Sequence, residues 1–232
     1  MAKLSTKAVS VTESTANGYE VAIESITIGT RAFSIRGLKD NQQFFDPDNI
    51  CKKAGICDAS WSIFGHVWPS GIMLADVIDR YPLTGLRVLE VGCGLGLASL
   101  VSHHHGADIT ATDYHPDAAK FMDENLLLNQ LLPIKFECVD WKTLNNSLGK
   151  FDLIIGSDVL YDPNHPKLLA GFIDRHADHD CTVLIVDPGR RQRLEFSKRM
   201  VINGFALTPH PLNHVLADSL EFKGRVLEYS RA

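Results

Sequence analysis

Two rhythms of apolar and polar positions run along this chain. From residue 87 to about residue 203, short apolar runs alternate with stretches in which apolar residues recur every three or four positions, which predicts strands and helices in turn. Val88, Leu89 and Val91 belong to a buried opening strand, the Gly92-Cys93-Gly94-Leu95-Gly96 segment turns tightly, and a helix follows from about Leu95 to Gly106. Further strands are expected over 107–112, 134–139, 151–157 and 181–186. Helices are expected to start near Pro116, to span about 166–176, and to run through Phe196 and Met200 as far as Asn203-Gly204. Two last strands, near 205–207 and 222–229, have no helix between them and should pair antiparallel. Strand and helix in alternation specify an α/β fold, a doubly wound and mostly parallel seven-stranded sheet.

Before this core the rhythm changes. Residues 1–18 are rich in Ser and Thr and weakly patterned, which reads as a loose arm. Val21, Ile23, Ile26 and Ile28, then Gly29-Thr30, then Phe33 and Ile35 predict a β-hairpin with a type II′ turn, and a phase slip near Glu24-Ser25 suggests a bulge. Residues 40–60 are polar and irregular, a covering loop or short helix. Ser70 is placed to cap a helix that carries Ile72, Met73, Leu74, Val77 and Ile78 and ends before Pro82. The expected division is an N-terminal arm and hairpin extension over 1–66 and a main domain over 67–232.

Composition narrows the partners. A chain of 232 residues with 45% hydrophobic and 22% charged residues is ordinary globular protein, one domain with an appendage. A formal charge of -5 gives no general attraction to polyanions, so no nucleic-acid partner is expected. Five cysteines, an odd number without repeated close pairing, suit reduced thiols and a cytoplasmic setting. The spacing of Cys51 and Cys57 matches no usual zinc pattern, and His103, His104 and His105 cannot share one helical face, so no metal is expected. The chain opens without the apolar run of a signal peptide and no window is long enough to span a membrane; a monomer is the expected state.

Chemistry concentrates at the glycine turn. Glycines at alternate positions let a backbone turn sharply and approach a ligand at the carboxyl end of a strand. No Lys-Ser/Thr pair follows them, which excludes a P-loop; Leu97 stands where a dinucleotide fingerprint counted from Gly92 wants a small residue, although Ser99 is small when the count starts at Gly94. The pattern Glu-x-Gly-x-Gly-x-Gly, here Glu90, Gly92, Gly94 and Gly96, fits best. Asp113, 21 residues after Gly92, ends the second strand where a carboxylate can accept both ribose hydroxyls. Asp140 ends the third strand, where it can accept from an exocyclic amine, and Trp141 beside it offers a stacking face.

This ordered set resembles the S-adenosylmethionine (SAM)-dependent, seven-stranded methyltransferases over residues 67–232. The resemblance implies a Rossmann-like fold and SAM as cofactor, with S-adenosylhomocysteine as its product. It also implies that Glu90 reaches the cofactor's amino group, the Gly92, Cys93, Gly94 and Gly96 turn lies against its methionine part, Asp113 with Tyr114 beside it holds ribose, and Asp140 with Trp141 meets adenine. After the fourth strand, where methyltransferases acting on nucleobases or glutamine amides carry an Asn/Asp-Pro-Pro-Tyr run, this chain has Ser157-Asp158-Val159-Leu160-Tyr161. Asp-x-x-Tyr there, Val67-Trp68-Pro69-Ser70-Gly71 before the first strand, and Asp140-Trp141 after the third are similar to the protein lysine methyltransferases grouped as methyltransferase family 16. That similarity implies catalytic roles for Asp158, which would orient the incoming amine, and Tyr161, an aromatic wall for it. Trp68 would pack on the cofactor, Ser157 would line its site, and a protein would be the substrate. Asp187-Pro188-Gly189-Arg190 resembles prokaryotic-type relatives, which keeps open a small amine or N-heterocycle as acceptor; a non-catalytic, cofactor-binding interaction protein is the third reading. The basic run Gly189-Arg190-Arg191-Gln192-Arg193, with Lys198 and Arg199, reads as a solvated face or a dock for an acidic partner.

Overall fold

The computed structural model describes residues 6–14, 19–44, 46–144, 147–210 and 222–231. Its main sheet has seven strands in the order β6-β5-β4-β7-β8-β10-β9. They are β4 (Arg87–Val91), β5 (Asp108–Asp113), β6 (Lys135–Cys138), β7 (Phe151–Ser157), β8 (Ala177–Asp187), β9 (Ala206–Pro209) and β10 (Arg225–Arg231). The first five are parallel, and β10 runs antiparallel to both β8 and β9, the pairing expected from the sequence for the last two strands.

Period-two alternation sorts the central strands between two apolar layers. Val88, Leu153 and Ile155 face one layer with helices α3 (Pro69–Asp79), α4 (Leu97–His104) and α5 (Ala118–Leu128). Leu89, Val91 and Ile154 face the other, with α6 (His165–His176) and α7 (Arg193–Ile202). Strand order reverses between β4 and β7, and ligands of open α/β sheets sit outside the carboxyl ends of the strands at such a point.

The N-terminal region differs from expectation in three ways. Thr6–Ser14 is not a loose arm but a strand, β1, paired antiparallel with β2 (Glu20–Ile28), which pairs in turn with β3 (Arg31–Leu38). Its β-branched Thr and Val residues favour extended backbone even without apolar alternation. Residues 1–5 and 15–18, where the rest of that arm and the opening of the chain were read, lie outside the described residues. The β2–β3 register is unbroken through Glu24-Ser25, and the irregularity lies in β1 between Val9 and Glu13. The phase slip in β2 records a change of buried face: Ile26 faces Phe33 on one side, whereas Val21 faces Leu38, whose side chain packs against Gly65. Finally, Ser70 does not cap α3. Trp68 occupies the N-cap with Pro69 at the first helical position, where its missing N–H costs nothing.

Hairpin and main domain share one apolar layer, and two amides on α5 complete the edge of β3. Asn129 accepts from Ser34 N–H at 2.9 Å and donates to Ser34 O at 2.7 Å, while Asn125 accepts from Arg36 N–H at 2.7 Å and donates to Arg36 O at 3.2 Å. Residues 40–60 include the short helices α1 (Ile50–Ala54) and, from Asp58, α2 (Asp58–Trp61), followed by a 3₁₀ turn at Ser62–Gly65. Among the described residues no helix is long and apolar enough to cross a membrane.

Candidate active site

A cavity of about 1100 Å³ opens at the carboxyl ends of β4, β5 and β7. Around it lie Trp68, Glu90, Gly92, Cys93, Gly94, Gly96, Asp113, Tyr114, Asp140, Trp141, Ser157, Asp158 and Tyr161, so every site residue expected from the sequence borders one space. Among the described residues four large aromatic side chains are more than a third exposed, and three of them, Trp68, Tyr114 and Tyr161, stand at this cavity. Exposed rings gathered at a concave site mark a ligand surface.

The turn after β4 takes left-handed backbone at Gly92, Gly94 and Gly96, with φ of 63°, 54° and 75°. Close approach within the chain demands glycine as much as any ligand does: a Cβ at Gly94 would stand 2.9 Å from the carbonyl oxygen of Phe64. Asp113 locks the same turn. Its Oδ2 accepts from Gly94 N–H and its Oδ1 from His115 N–H, both at 2.8 Å, and the carboxylate lines the cavity. Burial pushes the Asp113 carboxyl up, against those backbone donors.

Glu90, on β4, is buried and accepts from the Ser99 hydroxyl one turn into α4. Burial raises its pKa from 4.5 to about 7, with the Ser99 bonds pulling the other way. Cys93 is buried in the turn, its N–H on Thr112 O at 3.0 Å and its thiol pushed well up by burial. Asp140 accepts from Lys142 N–H at 2.9 Å and so makes a local turn as well as lining the cavity. The Trp141 carbonyl accepts from Arg175 at 2.7 Å, which anchors its backbone, and the Trp68 indole N–H donates to Ile63 O at 2.9 Å, which fixes its ring.

Asp158 follows Ser157 at the end of β7 in left-handed conformation, φ 51°, with its N–H on Val186 O at 2.9 Å. Its carboxylate is held bidentately by Arg190, Nε to Oδ1 at 2.8 Å and a terminal nitrogen to Oδ2 at 2.9 Å. Arg190 is set up by Asp187, whose Oδ1 caps Gly189 N–H at 2.8 Å and Arg190 N–H at 2.9 Å. Arg190 was read from the sequence with a solvated or docking cluster; it turns instead into the cavity rim. Tyr161 lies edge-on to His165 with ring centroids 4.6 Å apart, and burial pushes its hydroxyl up to about 12.

His165, Lys142 and the segment 54–57 also line the cavity, and none was singled out as a site residue from the sequence. His165 follows Tyr161 by four positions, a spacing visible in the sequence; the 54–57 segment arrives through a long connection and left no local signal. Behind His115, which also lines the cavity, Cys51 Sγ lies 3.7 Å from His115 Nε2, with an Asp117 oxygen nearby. His115 Nδ1 accepts from Asp117 N–H at 3.2 Å, which leaves the proton on Nε2 and directs it at the thiol rather than offering a lone pair to an ion.

The residues present fit SAM. Asp113 has acceptor capacity for two hydroxyls, the glycine turn leaves backbone open to the cavity, and aromatic faces with buried carboxylates suit a cationic ligand.

A family model described as lysine methyltransferase matches residues 57–201. The electron transfer flavoprotein beta subunit lysine methyltransferase of Xenopus laevis is 33% identical over 139 residues, 58% of this chain and 54% of that protein. A histidine protein methyltransferase 1 homolog of Dictyostelium discoideum is 27% identical over 147 residues, 60% of this chain and 46% of that protein. This chain therefore spans about half the length of the curated relatives it matches. The solved magnesium protoporphyrin IX methyltransferase from Synechocystis with bound SAM shares the fold at a TM-score of 0.54 and 20% identity, over 69% of this chain and 76% of that one.

Proposed function

We propose, from the premise that this chain belongs to the lysine methyltransferase family, that it transfers a methyl group from SAM to the side-chain nitrogen of a lysine in a protein substrate. The observation that carries the reading is the single cavity in which the cofactor cradle of β4 and β5 adjoins Asp158 and Tyr161 beyond β7. The β subunit of electron transfer flavoprotein, named for the Xenopus relative, is the first acceptor to try.

When bound, SAM supplies a methyl carbon already activated on a sulfonium, so the protein's task is to hold a neutral amine in line with it. In this reading Asp113 holds ribose and Glu90 faces the cofactor's ammonium, which favours its ionised form. Trp68 packs on the methionine part, while Trp141 and Tyr114 border adenine and ribose. Tyr161 walls the acceptor, and its electron-rich face tolerates a partly cationic nitrogen. Asp158 orients the amine through the lone pairs that Arg190 leaves free; the guanidinium fixes the carboxylate and offsets its charge.

Labelled SAM incubated with the protein and a size-fractionated extract tests the reading. Label in macromolecules is the expected result. Label confined to small molecules would replace it with the small-amine reading, and cofactor binding without any transfer would replace it with a non-catalytic role.

A further inference from the structure

We propose that His165 is the proton acceptor of the reaction, taking the proton from the incoming ammonium through Nε2. The inference rests on the protein-lysine reading above. A lysine ammonium, with an ordinary pKa near 10.4, has no lone pair at neutral pH, so transfer requires that a proton leave first. Asp158 is poorly placed to take it, because both of its oxygens are already engaged by the Arg190 guanidinium.

His165 has the features of a base. Its Nδ1–H donates to Val159 O at 2.7 Å, a bond to a carbonyl that fixes the tautomer and leaves the Nε2 lone pair unprotonated. The imidazole lies at the cavity between two of its aromatic walls, with centroids 4.6 Å from Tyr161 and 5.2 Å from Trp141. Asp162 from the same loop and Lys142 from the segment after β6 act on it with opposite charge, and Asp158 and Arg190 act on Tyr161 next to it. Burial lowers its pKa, partly offset by the Val159 bond, which favours the neutral ring whose Nε2 lone pair the proposal uses.

The step balances within the site. A proton passes from the ammonium to Nε2, and the freed nitrogen pair forms the N–C bond as the C–S bond breaks with its pair left on sulfur. The imidazolium then returns the proton to solvent. The product is a methylammonium, which carries the positive charge given up by the sulfonium, and a neutral thioether.

Two measurements test this. Nitrogen NMR of the histidine-labelled protein, with the resonance assigned through His165→Asn, should show Nδ1 protonated and Nε2 bare at pH 7; a proton on Nε2 at that pH overturns the proposal. In methyl transfer to the β subunit, His165→Asn keeps an N–H for Val159 and removes the base. The expected result is S-adenosylhomocysteine affinity near that of the unmodified protein and kcat at pH 7 lower by ~100-fold, with a deficit that shrinks as pH rises toward the lysine pKa. Unimpaired turnover, or a deficit that is the same at every pH, overturns it in favour of a positioning role. If the unmodified protein labels no macromolecule, the lysine reading fails, while the nitrogen resonances still decide the state of His165.

Discussion

Glu90 shows most clearly how a single residue couples binding to stability. Its ordinary pKa of 4.5 holds in the unfolded chain, while burial raises it to about 7 in the folded protein. Between those values the folded state keeps a proton that the unfolded chain has lost, so this contribution to stability falls as pH rises through the window and levels off above it. Glu90→Gln removes the ionisation and keeps an acceptor for Ser99. The variant should be more stable than the parent at pH 8, by on the order of 1–3 kcal/mol, with little difference at pH 4, and should bind S-adenosylhomocysteine more weakly; thermal unfolding and calorimetry check both. Equal stability at the two pH values would mean that Glu90 is not strained by burial. Glu90, the glycines and Asp113, which β4, its turn and β5 bring to one cavity, were legible because their spacing is local. The Asp158–Arg190 pair joins loops 32 positions apart, and His165 acts through a tautomer set by a backbone carbonyl, neither of which a pattern of residue types expresses.

Elements were legible wherever a strand or helix buries one consistent face. β7 begins and ends where its apolar run does, at Phe151 and Ser157, and the helices follow their three-to-four-residue rhythm. β1 was missed because its apolar residues do not alternate and its pairing is a matter of backbone, and α3 starts two positions earlier than a Ser70 cap would place it, at Pro69. The turn after β4 is the element on which the cavity depends. Gly94→Ala places a Cβ against the immobile Phe64 carbonyl at a positive φ, so destabilisation of about 1–3 kcal/mol in urea unfolding is expected, together with loss of cofactor binding. Full stability in that variant would show that the turn can relax away from the 3₁₀ segment.

At the scale of the whole molecule, the sheet divides labour between its faces. One layer fuses the N-terminal hairpin to α3, α4 and α5, so Phe64 and the segment that precedes it are carried to the rim of the cavity; the other layer anchors α6, whose first residue is His165, and α7, which follows the loop bearing Arg190. The two sides proposed for cofactor and acceptor are thus positioned from opposite faces of one sheet, with Asp113 at the end of β5 and Asp158 at the seam between β7 and β8. The fold class and the cofactor were readable because they rest on strand-end carboxylates in order; the acceptor was less so, because it is recognised by side chains from several loops. The most direct test of lysine methylation is mass spectrometry of the β subunit of electron transfer flavoprotein after incubation with the protein and isotope-labelled SAM. The account predicts labelled methyl groups on lysine side chains of that subunit, lost in Asp158→Ala while S-adenosylhomocysteine binding is kept. Methyl groups found on histidine, or on small amines with every lysine unmodified, would contradict it.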